Sequence, residues 1–256
     1  LINKVNDLAK DNLYYDTSMA LGHTRWATHG NINIKNAHPL ISENRVAVVH
    51  NGIIENYASI KKILESEGYV FTSQTDTEVL PHLFTKYLKK GHDFLQAGRL
   101  VLKDIKGAFA FVAICLDFPD QLFVSRNSSP LAIGLGEGSN FVGSDAQSIN
   151  HLTNKIIYLE DGDYALIKIN NIEIFDKDSN KIDRKIINIQ SELGLITKGG
   201  YKHFMEKEIY EQPSVLPQTI SSFVNGKSAI DIDLDKLGFC KKNSLIICAA
   251  GTSYYA

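Results

Sequence analysis

Cysteine, tryptophan, methionine and proline are scarce in this chain: three, one, two and six among 256 residues. The cysteines, Cys115, Cys240 and Cys248, are odd in number and lie in or beside apolar runs. That excludes a disulfide framework and reads as reduced structural thiols of a cytosolic protein. Net charge is also lacking, at −2, so no field is present to hold nucleic acid or an anionic membrane. Long apolar runs are missing: Ala108–Leu116 and Leu245–Ala250 have strand length, which excludes a transmembrane helix. The opening stretch, Leu1–Asn12, is charged and amphipathic, not the apolar core of a signal peptide. Paired metal ligands are absent too, because His23 and His29 match no common zinc spacing and no Cys pair stands near them. The expectation from these absences is a chain without metal or cofactor, bound to neither nucleic acid nor membrane.

What is present is an alternation of helical and strand patterns long enough for more than one compact domain. Leu1, Val5, Leu8 and Ala9 share a helical face, and Met19–Leu21 is a short strand. Val46–Val49 reads as a buried strand that ends at Asn51-Gly52. Tyr57–Glu67 predicts a helix capped by Gly68. Thr75 and Glu78 have capping-box spacing before a helix running to Lys90, and a further helix is expected over Asp93–Asp104. Strands follow at Ala108–Leu116, Leu122–Ser125, Leu131–Gly134, Phe141–Gly143, Ile156–Leu159, Tyr164–Ile169 and Ile172–Phe175, with a short helix beginning at Ser144-Asp145. Gly134–Gly138 is glycine-rich but lies between two strands with no helix behind it, so a dinucleotide site is rejected. Gln190–Gly200 reads as a linker, and Met205–Val224 as connecting helices interrupted at Pro213 and Pro217. Strands in two groups with helices outside them fit a layered α/β sandwich.

Two motifs carry chemistry. The first is Gly22-His23-Thr24-Arg25-Trp26-Ala27-Thr28-His29-Gly30, polar groups between glycines with neither helical nor strand period. The second is His50-Asn51-Gly52, where an amide side chain beside a glycine N–H offers two neutral donors to an oxyanion. Each also has a plain reading: Asn-Gly is a hairpin-turn signal, Arg25 a structural arginine, Trp26 a half-buried aromatic. Asp76, at a helix start, is favoured there by the helix dipole whatever else it does. Gly251-Thr252-Ser253, after a strand, could bind phosphate through N–H groups and hydroxyls.

Together with Asn36-Ala37-His38-Pro39, Thr75-Asp76-Thr77-Glu78 and the run Tyr201–Pro213, these motifs resemble the isomerizing glutamine–fructose-6-phosphate aminotransferases over essentially the whole chain. The resemblance implies the four-layer αββα fold of N-terminal-nucleophile hydrolases, as in class II glutamine amidotransferases, followed by the start of a sugar-isomerase domain. It implies a glutaminase domain over 1–189, a linker with connecting helices over 190–243, and the first strand and turn of the isomerase over 244–256. By the same resemblance Asn51 and Gly52 form the oxyanion hole, Arg25 binds the glutamine α-carboxylate and Asp76 its α-ammonium. Trp26 gates the ammonia passage, Thr28 and His29 line the pocket, and Thr252 and Ser253 touch the sugar phosphate. Glutamine or glutamate and, in the full-length protein, fructose 6-phosphate would be the small-molecule partners, with a homodimer at full length and a cytoplasmic location. His38 reads as a hydrogen-bonded structural histidine and His50 as an orienting group, not a base.

The family's nucleophile is an N-terminal cysteine that uses its own α-amino group as base, and none of the three cysteines matches it. The opening at Leu1 and the stop after Ala256 suggest a chain cut at both ends, so this chain alone is expected to be inactive. Three other readings stand beside the first. One is another class II amidotransferase, such as one that aminates a ribosyl pyrophosphate. The second is a non-catalytic module that binds glutamine or glutamate. The third is a metal-dependent hydrolase using His23, His29, His38 and His50.

Overall fold

The structure, a computed structural model, describes residues 19–24, 33–189 and 200–221. It divides into two compact units, Leu1–Ser191 and Glu192–Ala256.

The first unit is built on a seven-stranded antiparallel sheet. Its strands are β1 (Leu40–Ser42), β2 (Val46–Ile54), β3 (Gly107–Cys115), β4 (Leu122–Asn127), β8 (Tyr164–Ile167), β9 (Ile172–Phe175) and β10 (Lys181–Ile182), adjacent in that order. A second antiparallel sheet of four strands runs β11 (Ile186–Asn188), β7 (Lys155–Tyr158), β5 (Ala132–Leu135), β6 (Asn140–Gly143). β3 is apolar along its length because both its faces are covered, and successive side chains alternate between them. Phe109, Phe111, Ala113 and Cys115 pack with the helices, whereas Ala110 and Val112 join the core between the sheets. That inter-sheet core also takes Val49 and Val124 from the larger sheet and Ile133 and Ile157 from the smaller.

Three helices cover the other face of the larger sheet: α1 (Tyr57–Ser66), α2 (Val79–Lys89) and α3 (Phe94–Asp104). Gly68, with φ of +91°, follows the first as expected. Asp93 and Gln96 make a reciprocal capping box at the start of α3. Gly98, inside α3, lets that helix approach the sheet, because a Cβ there would stand 2.1 Å from the Phe123 ring. The outer face of the smaller sheet packs Ala132 and Ile156 against Ala146 and Ile149.

Five local expectations change. Met19–Leu21 has no regular secondary structure, in place of the short strand expected there. The segment 144–152 is a run of bends and turns, not a short helix, with Asp145 accepting from the Ser148 N–H at 2.7 Å. Side chains that satisfy nearby N–H groups favour turns in this way. β2 does not end before Asn51 but continues to Ile54, pairing Asn51 with Ala110 and Gly52 with Phe109. The Asn-Gly pair is therefore not a turn. Thr75 makes no cap with its side chain, because Glu78 turns instead to Thr72 and Ser73. In the second unit, α4 (Phe204–Ser221) runs through Pro213 and Pro217 without the interruptions expected there. Each proline forfeits one N–H bond, a loss that can be absorbed by a bend. The short strands β1, β10 and β11 carry too few residues to show a period. Leu1–Asn12 and 244–256 lie outside the described residues.

Candidate active site

The site gathers on the C-terminal half of β2. Asn51 shares the inter-sheet face with Val49, while His50 points to the helical side with Val48. His23 Nε2 lies 2.8 Å from Asn51 Oδ1; since an amide oxygen only accepts, the imidazole donates. Asn51 Nδ2 donates to Ser144 Oγ at 3.0 Å. An amide nitrogen carries two hydrogens, and among the described residues no second acceptor takes the other. The amide is thus held at both ends with one donor to spare. Gly52 follows at φ +113°, exposed, in a backbone conformation that only glycine adopts without strain.

The 3₁₀ turn Asp76–Glu78 is tied to this strand from the helical side. Asp76, 3% exposed, accepts the Ile54 N–H through Oδ2 at 2.7 Å. Thr77 Oγ1 sits 2.8 Å from His50 Nδ1. Glu78, fully buried, accepts from Thr72 N–H, Thr72 Oγ1–H and Ser73 N–H at 2.7–2.9 Å. Burial pushes its carboxyl up, but the hydrogen bonds from Thr72 and Ser73 outweigh that and hold it below the ordinary carboxylate range.

His50 is buried with its Nε2 unpartnered. Burial first, then the neighbouring His38 and His23, lower its pKa to about 3, so it is a neutral imidazole near neutrality. A neutral ring fixed on Thr77 orients β2 against the turn and is a poor proton acceptor. His38 accepts the His50 N–H at 3.4 Å, and its ring lies 4.5 Å from that of His23, which agrees with a structural histidine. Asn36 and Gln74 bond each other reciprocally, Gln74 N–H to Asn36 Oδ1 at 2.9 Å and Asn36 Nδ2 to Gln74 Oε1 at 3.2 Å. The pair joins the segment after the glycine-bracketed loop to the one that carries Asp76.

Of the residues expected at a site, Asn51, Gly52 and Asp76 thus lie on β2 or are bonded to it. Arg25, Trp26, Thr28, His29, Thr252 and Ser253 lie outside the described residues. The sequence reading names His23 only within the glycine-bracketed motif and the metal-hydrolase alternative, and it does not single out Ser144 or Thr77 as site residues. Ser144 carries no motif of its own and reaches Asn51 across 93 positions. Among the described residues no cluster of three or more His, Cys, Asp or Glu could hold a metal ion. No helix among them is long and apolar enough to cross a membrane.

Two stacked antiparallel sheets, helices on the larger one, and a strand-borne Asn-Gly pair define the class II glutamine amidotransferase fold of the N-terminal-nucleophile hydrolases. One solved structure of this class, the glutamine phosphoribosylpyrophosphate amidotransferase of B. subtilis complexed with ADP and GMP, superposes with a TM-score of 0.51. It is 26% identical, over 62% of this chain and 35% of that one. The family model of the glutamine amidotransferase domain matches residues 23–151, and the chain belongs to that family. Among curated proteins, it is 44% identical over its full length to the isomerizing glutamine–fructose-6-phosphate aminotransferase of Mesorhizobium japonicum. It is 46% identical over 93% of its length to the enzyme of that name in Acinetobacter baylyi. It spans 42% and 39% of those two relatives, well under half of each.

Proposed function

We propose that this chain is the glutamine-handling part of an enzyme that aminates and isomerises fructose 6-phosphate to glucosamine 6-phosphate, releasing glutamate. The observation that carries this reading is the Asn51 amide, clamped by His23 and Ser144 with one N–H to spare, beside the exposed Gly52. Two converging neutral donors suit the oxyanion formed when a nucleophile adds to the carboxamide carbon of glutamine. Asp76 would receive the α-ammonium through the oxygen not bonded to Ile54, and Arg25 would take the α-carboxylate in a bidentate fork. Trp26, Thr28 and His29 would close the pocket and its ammonia passage.

The nucleophile in this reading is a cysteine outside these residues, acting with its own α-amino group. Cys115 cannot replace it, being buried in β3, where burial raises its thiol pKa. The 190–243 segment would connect to an isomerase domain that starts over 244–256, with Thr252 and Ser253 on the sugar phosphate. The full-length enzyme is expected to be a cytoplasmic homodimer.

Titration calorimetry with glutamine tests the binding half. The purified chain should bind glutamine, and Asp76→Asn should weaken binding about tenfold or more, the equivalent of ~1.4 kcal/mol. In a chain extended to the N-terminal cysteine, Asn51→Ala should lower kcat for glutamine hydrolysis about a hundredfold with little change in KM. Glutamine that fails to bind, or an Asn51→Ala enzyme with undiminished kcat, would overturn the assignment.

A further inference from the structure

A concavity of about 260 Å³ opens on the helical side of the larger sheet, between the end of α3, the starts of β3 and β8, and the loop at 177–179. Arg99, Lys103, Lys106 and Lys177 are among its lining residues, and no carboxylate lines it. Among the described residues none of these four side chains makes an ion pair or a hydrogen bond, whereas eleven salt bridges elsewhere use other cations or His82.

The acids around the concavity are mostly committed elsewhere. Asp104 accepts from the Tyr87 hydroxyl, and Asp176 accepts from the Asn180 and Asp178 N–H groups of its own loop. Asp163 and Glu160 are held by Arg184, and Asp161 by Arg126. Glu55, whose Cγ approaches Gly107, and Asp178 remain, both exposed and neither in the lining. Four unpaired cations in a depression attract an anion more strongly than the same charges spread over an open surface.

A second observation comes from Tyr164, which lines the same cavity and is 2% exposed. Its ring is stacked between Phe123 and Phe175, with centroids 5.9 and 5.2 Å away, and its hydroxyl has no hydrogen-bond partner. The other buried polar groups here are satisfied: Ser125 Oγ donates to the Asp163 carbonyl and Asn127 Nδ2 to the Gly107 carbonyl. Tyr164 is thus held rigidly in the lining, and the only charged side chains among the lining residues are cations. The geometry points to a binding site for a phosphoryl dianion, with Arg99, Lys103, Lys106 and Lys177 supplying the charge. The volume admits inorganic phosphate or a small phosphomonoester. Phe109 in the cavity wall pairs with Gly52 through the backbone, but the Phe109 side chain belongs to the helical-side core, whereas the Asn51 amide is bonded to His23 and Ser144.

Titration calorimetry on the purified chain at constant ionic strength, with inorganic phosphate and separately with glycerol 3-phosphate, tests the assignment. At least one should bind saturably. The Arg99→Ala/Lys177→Ala double variant should bind it at least tenfold more weakly. Tighter binding of glycerol 3-phosphate would identify a phosphomonoester site, and equal binding a phosphate site. No saturable binding of either, or a double variant that binds like the unmodified chain, would overturn the proposal.

Discussion

At Gly52 the backbone adopts φ of +113° inside a paired strand, and a Cβ there would stand 2.1 Å from the Ala108 carbonyl oxygen. Both the torsion and the contact exclude a side chain, since the obstructing atom is backbone of the neighbouring strand. Gly52→Ala should therefore destabilise the fold by about 2–3 kcal/mol, read as a lowered midpoint in urea unfolding. It should also disturb Asn51, the adjacent residue, more than a distant substitution of equal cost would. The motif His50-Asn51-Gly52 was legible as two donors side by side. Its local conformation was not, because Asn-Gly is equally at home in a turn, and only pairing with β3 decides between the two. His50 is a similar case: its type was visible, but its neutrality follows from burial and from two histidines brought to it by folding.

Helix α3 shows how one residue sets the distance between layers. Gly98 is unfavourable in a helix by about 1 kcal/mol relative to alanine, so propensity alone argues for replacing it. The obstacle is the Phe123 ring, 2.1 Å from the position a Cβ would take and itself fully buried. Forcing an extra methyl into a packed core costs about 1–3 kcal/mol, which exceeds the gain in propensity. Gly98→Ala should thus lower stability by about 1 kcal/mol despite the better helix former. A variant more stable than the parent in urea would show that the ring and helix can separate. At this scale periodicity located α1, α2, α3 and the long strands to within a few residues. It missed the true capping box at Asp93 and Gln96 and assigned one to Thr75 and Glu78. Both pairs have the same spacing, and what distinguishes them is that Glu78 is drawn to Thr72 and Ser73 by the fold.

Across the whole molecule, acid stability should carry the mark of His50. Its folded pKa, about 3, is depressed below the ordinary histidine value near 6.5, so the unfolded chain takes up a proton before the folded one does. The contribution is absent above about pH 6.5 and grows as pH falls, at up to about 1.4 kcal/mol per unit, until the folded ring also protonates near pH 3. His50→Gln, which cannot titrate, should flatten the fall in stability between pH 6 and about pH 4 relative to the parent. Parallel curves for the two proteins would mean that His50 is solvated in the native state. His82, also buried with a lowered pKa, contributes in the same direction in both, which leaves the difference to His50.

Residue types and their order were enough to assign a layered α/β sandwich and to resemble a family that acts on glutamine. They also excluded transmembrane helices, because alternation, run length and charge are properties of the chain itself. They placed Asn51, Gly52 and Asp76 together in a hypothesis. The tertiary structure alone decided what surrounds them: His23 and Ser144, 28 and 93 positions from Asn51, fix its amide, and the Ile54 N–H engages Asp76. It also gathered Arg99, Lys103, Lys106, Lys177 and Tyr164 around one cavity. Partners so distant along the chain carry no local pattern, since a hydrogen bond or an unpaired charge depends on proximity in space, and proximity exists only once the sheets have paired and stacked.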